Sequence, residues 1–231
     1  MLLLILRLTL AFVATVVVIV AVLAVVPPPL TAFMVEDSIH RGGWIDYRWT
    51  SHTGIAPLCL VAMVAAEDQR FAEHSGFDFQ AIESAAKHNS RGGSVRGAST
   101  ISQQVAKNLF LWPDRSWLRK ALEAPLTVIV EKIWTKRRIL DVYANVAELG
   151  DGIYGIGAAS RHYFSKTPGQ LTAPECALLA AVLPDPESFR ADAPSPFVRH
   201  RQQWILRQMD ALGGTAWLRR INASPPASGP P

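Results

Sequence analysis

The chain has 231 residues, of which 49% are hydrophobic and 18% charged, a balance that excludes a disordered tail, a collagen-like repeat and a disulfide-rich miniature fold. That length suits one domain of moderate size or two small ones and excludes a large multidomain enzyme. A net charge of +4 favours acidic partners, and composition alone does not choose among nucleic acid, anionic lipid and a phosphorylated substrate.

The hydrophobic excess sits at one end. No charged residue lies between Arg7 and Glu36, and residues 8–26 are almost wholly Leu, Val, Ile, Ala and Phe. As a helix they would run roughly 28 Å, the thickness of a bilayer core. Pro27, Pro28 and Pro29 stop such a helix, because none donates a backbone hydrogen bond and each restricts its predecessor. The stretch exceeds the apolar part of a signal peptide and no small-residue cleavage site follows, so an uncleaved transmembrane anchor is expected. Arg7 precedes the span while Glu36 and Asp37 follow it, which puts residues 1–7 in the cytoplasm and the rest of the chain outside. Residues 27–56 form a connector, 57–213 the folded body and 214–231 a flexible C-terminal tail, Ser-, Pro-, Gly- and Ala-rich in its last ten residues.

Along the connector, Ile45, Tyr47 and Trp49 alternate with polar residues after Gly42-Gly43, the pattern of a short strand. Beyond it the period is helical. Pro57 opens a helix whose apolar run, 58–66, leads into Glu67. Asp78 caps a second helix with Phe79, Ile82 and Ala86 on one face. Thr100, with Gln103 three residues later, predicts a capping box and a helix that buries Ile101, Val105 and Leu109. Its opposite face carries Gln103, Gln104, Lys107 and Asn108. Ser116 caps a fourth helix presenting Leu118, Leu122, Leu126, Ile129 and Ile133, kinked at Pro125. Further helices follow over 139–146, from Thr172 with Glu175 as a second capping box, and from Pro196 to Gly213. The two cysteines, Cys59 and Cys176, lie in apolar helical contexts and are expected as buried small hydrophobes rather than as a bridge, although an extracytoplasmic compartment would permit one.

Several motif matches fail on context. Gly150, Gly152 and Gly155 have dinucleotide-loop spacing but follow an amphipathic helix with no βαβ unit around them. Ser84-x-x-Lys87 lacks the Lys-Thr-Gly partner of a penicillin-binding site and belongs on a solvated helix face. No Walker loop, zincin helix or Cys/His cluster appears, and the six histidines are scattered singly. What remains is a constellation of acids and bases. Glu67 ends an apolar helix, where desolvation would raise its pKa into the range of a proton acceptor, with pairing to Arg70 as the structural alternative. Glu123 lies in a segment, 114–138, that holds seven Lys or Arg against three acids; by itself such a run is a solvated basic helix. Flanked by Lys107, Arg115, Arg119 and Lys120, Glu123 also fits a site holding a pyrophosphate beside a carboxylate.

Three strings, Glu67-Asp68-Gln69-Arg70-Phe71-x-x-His74-x-Gly76-x-Asp78, Gly97-Ala98-Ser99-Thr100-Ile101-Ser102-Gln103-Gln104-x-Ala106-Lys107-Asn108 and Arg119-Lys120-x-x-Glu123, resemble in order the signature motifs of the peptidoglycan glycosyltransferases, glycosyltransferase family 51. A fourth, Arg138-Ile139-Leu140-x-x-Tyr143-x-Asn145 and on through Gly155, Tyr163-Phe164, Glu175 and Pro184, extends the match over residues 57–213. Ala98 and Ala144 depart from the family's common Gly and Leu without removing a reactive group. With one anchor and no transpeptidase domain, the resemblance is to the family's monofunctional branch.

The resemblance implies a mainly α, lysozyme-like glycosyltransferase domain behind a single transmembrane helix, at the outer face of the bacterial cytoplasmic (inner) membrane. It implies polymerisation of lipid II into β-1,4 glycan strands with inversion at C1 and release of undecaprenyl pyrophosphate. Glu67 would be the general base, Lys107 and Arg115 would stabilise the pyrophosphate, and Glu123 would orient the donor, a basic side chain or a divalent ion. Gln103, Gln104, Asn108, Ser99, Thr100, Arg119, Lys120, Asp68 and Phe71 would contact substrate. A divalent cation, Mg²⁺ or Mn²⁺, held mainly by the pyrophosphate, is the expected cofactor, with no organic one. Expected partners are lipid II, the growing lipid-linked glycan, membrane lipids and other cell-wall synthesis or division proteins, with no nucleic acid. A glycan-cleaving lysozyme-type enzyme and a membrane-anchored scaffold are the competing readings.

Overall fold

A computed structural model describes residues 1–92, 97–114 and 116–222. The chain starts with α1 (Leu2–Leu23), long and apolar enough to cross a membrane. It begins and ends earlier than the 8–26 span. Its end has a physical cause: the Arg138 guanidinium donates to the Leu23 carbonyl at 3.0 and 2.7 Å and to the Val26 carbonyl at 2.7 Å, satisfying acceptors that the helix leaves open. The Trp134 indole N–H donates to the Val20 carbonyl at 2.7 Å, and Val20 is fully buried. The anchor's last turn is thus docked on the body.

The connector is part of the fold. Thr31 caps α2 (Ala32–Arg41), which packs on α5 (Ile101–Phe110) through its buried Met34. The predicted strand survives as β1 (Asp46–Tyr47), parallel to β3 (Ile153–Tyr154), which pairs antiparallel with β2 (Glu148–Gly150) in the order β1-β3-β2. Gly155, at φ +78°, follows directly; a Cβ there would collide with the Asn145 carbonyl, so the glycines of this loop serve close packing.

The core is built on α3 (Pro57–Glu67), buried from Cys59 to Ala65 and flanked by α9 (Ala173–Val182) and α10 (Pro196–Leu212). Cys59 and Cys176 are bonded to each other across the α3–α9 contact, their Cα atoms 4.5 Å apart. This corrects the expectation of two free thiols: helical context did not reveal that two sites 117 residues apart face each other. α7 (Lys136–Val146) and α8 (Gly155–Phe164) close the remaining side.

Two amphipathic faces depart from the pattern, that of α4 (Phe79–Asn89) throughout and that of α6 (Trp117–Ile133) in its first half, while Ile129 and Ile133 pack on the core as expected. On α4 only Ala85 is buried, while Phe79, Ile82 and Ala86 are exposed. On α6 the buried positions include Glu123, Thr127 and Glu131, whereas Leu118, Leu122 and Val128 face outward. The i, i+4, i+8 spacing makes those three polar residues one inward stripe, and it is satisfied internally: Thr127 donates to the Glu123 carbonyl at 2.8 Å, and Glu131 accepts from Lys136 at 2.7 Å and from Ser102. α6 runs unbroken through Pro125. The tail from 214 is also corrected as far as 222, because a short turn, Gly214–Trp217, and α11 (Leu218–Asn222) bury Trp217, Leu218 and Ile221 against the body. Residues 223–231 lie outside the described residues.

Candidate active site

Glu67 is the last residue of α3, a helix buried from Cys59 to Ala65 that delivers it to the cleft. It opens into a cleft of about 1020 Å³ whose walls include Arg70, Ser99, Thr100, Gln104, Arg201 and Trp204. Both carboxylate oxygens are engaged. Gln104 Nε2 donates to Oε2 and Arg201 Nη2 to Oε1, each at 3.0 Å. Burial pushes the Glu67 carboxyl above the usual range; the Gln104 hydrogen bond and the Arg201 charge oppose the rise and Asp68 adds to it. Pairing with Arg70 is not observed. Arg70 is bound at 3.0 Å each by Glu73 and Asp78.

The start of α5 is set by the expected capping box, in which Thr100 Oγ1 and the Gln103 side chain satisfy each other's backbone N–H. The cap and its neighbours bury several of the residues expected at the substrate. Gln103 is buried in the cap, and Thr100 spends its hydroxyl on the Gly76 carbonyl at 2.6 Å while still lining the cleft. Asp68 accepts from the Ile101 N–H at 3.0 Å and pairs with His74 at 2.9 Å. Phe71 is fully buried, with the Lys136 ammonium 4.5 Å above its ring. Asn108 is buried as well. Gln103, Asp68, Phe71 and Asn108 are thus buried, Asp68 at the edge of the cleft. Ser99 remains exposed on the cleft wall.

Along α5, Gln104 and Lys107 are three residues apart and share a face, about 4.5 Å along the axis. Lys107 leads to a second cluster at the start of α6. Ser116 caps that helix at 3.1 Å, and nearly two turns in, Glu123 is held at 3.0 Å by Arg119 and also by Lys120. The Lys107 ammonium lies 5.0 Å over the Phe33 ring and, among the described residues, forms no ion pair. Burial pushes its pKa down, and so do Arg119 and Lys120, against the pull of Glu123 and Glu148. Three cations around one buried carboxylate leave a net positive cluster. Arg115 lies outside the described residues.

The remaining basic residues of 114–138 are not at this site. Lys136 pairs with Glu131, Arg137 with Asp141 at 3.0 Å, and Arg138 holds the anchor. Only the first half of the segment carries charge for a ligand. Each Glu123 oxygen accepts from a cation, and no group of three or more His, Cys, Asp or Glu among the described residues could hold a metal ion.

The structure thus places a cleft-facing carboxylate on one side of α5 and a cluster of cations further along the same helix face. The Transglycosylase family model matches residues 37–210. The chain belongs to the transglycosylase family. It is 54% identical over 209 residues to the "Biosynthetic peptidoglycan transglycosylase" of Klebsiella oxytoca, with 87% of this chain and 86% of that protein covered. Its identity is 53% to the proteins of the same name from Citrobacter koseri and Salmonella heidelberg, with the same coverage.

Two residues of this transglycosylase site had no assigned role in the motif pattern. Tyr143 lies within the fourth motif, and its hydroxyl donates to Gln104 Oε1 at 3.0 Å. Arg201 sits in the run Arg199-His200-Arg201 on α10, where nothing local marks it. Only the packing of α10 on α3 brings it to Glu67.

Proposed function

We propose that this transglycosylase polymerises lipid II into β-1,4-linked glycan strands, with Glu67 as general base. The observation that carries the reading is Glu67 at the cleft, joined through Gln104 and Lys107 on one face of α5 to the cations around Glu123. A base must be ionised yet basic enough to take a hydroxyl proton, and desolvation of Glu67 moves it toward that balance. In the reaction the acceptor's 4-hydroxyl, bound in the cleft, loses its proton to Glu67 Oε1 or Oε2 as its oxygen attacks C1 of the lipid-linked donor. The C1–O bond to the pyrophosphate breaks, inverting the anomeric centre. Lys107, Arg119 and Arg115 stabilise the charge that accumulates on the leaving group, and Glu123 orients Arg119 and Lys120 rather than reacting itself.

In this reading a divalent ion would be held mainly by the pyrophosphate and its waters, and no step passes through it. The anchor is a single pass with its N-terminus in the cytoplasm, and the Cys59–Cys176 bridge supports an oxidising compartment for the body. The outward apolar face of α6, on the helix that α1 contacts, suits lipid at that surface. Other cell-wall synthesis or division proteins are the further partners of this reading.

The test is incubation of the full-length protein with lipid II, with and without chelator, and separately with finished glycan strands. Polymer from lipid II is expected, and Glu67→Gln should lose roughly 10²–10⁴-fold in rate. Fragments from finished strands, with no polymer from lipid II, would establish a glycan-cleaving enzyme instead.

A further inference from the structure

The two oxygens of Glu67 are held by groups from two different elements, and one of these groups is itself held by a third. Gln104 can present either its carbonyl or its NH₂ to a neighbour. Tyr143, fully buried on α7, decides which. Burial pushes its phenol far above the ordinary range, so it remains a neutral donor, and its proton goes to Gln104 Oε1 at 3.0 Å. The amide nitrogen is thereby turned to Glu67. From the other side α10 brings Arg201, which donates to Glu67 at 3.0 Å and toward the Ala66 carbonyl at 3.4 Å. A cation is favoured at the carbonyl end of α3, and the Arg201 Nε, buried and without a partner, has no second anion to draw it away.

We propose that Tyr143 and Arg201 are positioning residues of the transfer reaction, Tyr143 acting through Gln104 and Arg201 directly, which together hold Glu67 as an aimed carboxylate. The proposal rests on Glu67 being the base. Other charged groups near Glu67 are committed elsewhere. Asp68 is bonded to His74 and the Ile101 N–H, and Arg70 to Glu73 and Asp78. On α7, Lys136 is bonded to Glu131 and Arg137 to Asp141; on α9, Glu175 is bonded to Lys166. His200 lines the cleft beside Arg201. Arg201 is the one cation that binds Glu67 among the described residues.

The experiment is the pH profile of kcat/KM for lipid II polymerisation by the full-length chain, comparing wild type with Tyr143→Phe, Arg201→Gln and Arg201→Lys, and with Glu67→Gln as reference. Tyr143→Phe preserves the buried ring and removes only the donor. A base that loses a stabilising donor holds its proton more tightly, so the acid limb moves to higher pH. We expect a shift of about one unit in Arg201→Gln and roughly half that in Tyr143→Phe. Arg201→Lys should bring the limb back toward wild type, and KM should change little in Tyr143→Phe. An acid limb that coincides with wild type in both Tyr143→Phe and Arg201→Gln overturns the clamp, as does a loss of rate equal at every pH, which is what a purely structural role produces. Full activity in Glu67→Gln would remove the base assignment itself, a failure recognisable before the other variants are compared.

Discussion

The Cys59–Cys176 bridge ties the helix that ends in Glu67 to α9 and closes a loop of 117 residues. Replacing both cysteines by Ala releases that constraint from the unfolded ensemble. In the chain-entropy account a loop of this length is worth about 16 cal/mol/K, or about 4–5 kcal/mol at 25 °C. Both side chains are almost fully buried, 1% and 2% exposed, so the loss of two sulfur atoms adds roughly 1 kcal/mol in packing. The folded body has roughly 200 residues, with an unfolding entropy near 0.4 kcal/mol/K, which converts these terms to a fall in Tm of roughly 10–15 °C. Thermal unfolding of the detergent-solubilised protein, followed by circular dichroism without reductant, measures it. Thiol titration of the denatured wild-type protein, isolated from cells under alkylating conditions, should find no free cysteine. A double variant melting within about 2 °C of wild type would refute the stabilisation. Two free thiols in the wild type would refute the oxidising location of the body, and with it the assigned orientation of the anchor.

Two further variants test the electrostatics. Glu123→Ala leaves Arg119 and Lys120 without their carboxylate; because Lys120 is nearly half exposed and can rehydrate, the cost should fall to about 1–3 kcal/mol, below the usual value for breaking a buried pair. Polymerisation should fall at least roughly 100-fold with it, and preserved rate in a destabilised protein would show Glu123 to be framework only. Glu148, on β2, faces Asp37, Arg41 and Glu187, and burial raises its pKa to about 7. A carboxyl raised on folding binds protons more readily in the folded state, so stability falls as pH rises from about 4.5 to 7 and the penalty is fully present above 7. Glu148→Gln should therefore raise Tm at pH 8 and leave it nearly unchanged at pH 4.5; an equal shift at both values would exclude ionisation as the cause.

The outward apolar stripe of α6 shows how far a hydrophobic pattern alone can be followed. The periodicity of Leu118, Leu122 and Leu126 is helical, and the helix forms, but in a chain with a membrane anchor an apolar face has two destinations. Here the inward stripe is Glu123, Thr127 and Glu131, each with a partner on its own or another element. No count of apolar positions distinguishes these outcomes, since both satisfy the same spacing.

Local interactions made much of this protein legible from its residues. Capping at Asp78, Thr100, Ser116 and Thr172 and the stop at Gly213 depend on neighbours within one turn, and they formed where the pattern put them, whereas the N-terminal helix was legible as an element but not in its bounds. Glu67 could also be singled out, because a carboxyl closing an apolar helix is unusual in itself. Tertiary structure alone decided what that carboxyl touches. Tyr143 stands 76 positions after Glu67 and Arg201 134 positions after it, and the cysteines are separated by 117 residues. Contacts at such separations are set by how helices pack rather than by what flanks each residue. The same packing buried Phe71 and Asn108 and left Gln104 and Lys107 as the face of α5 between the base and the cationic cluster.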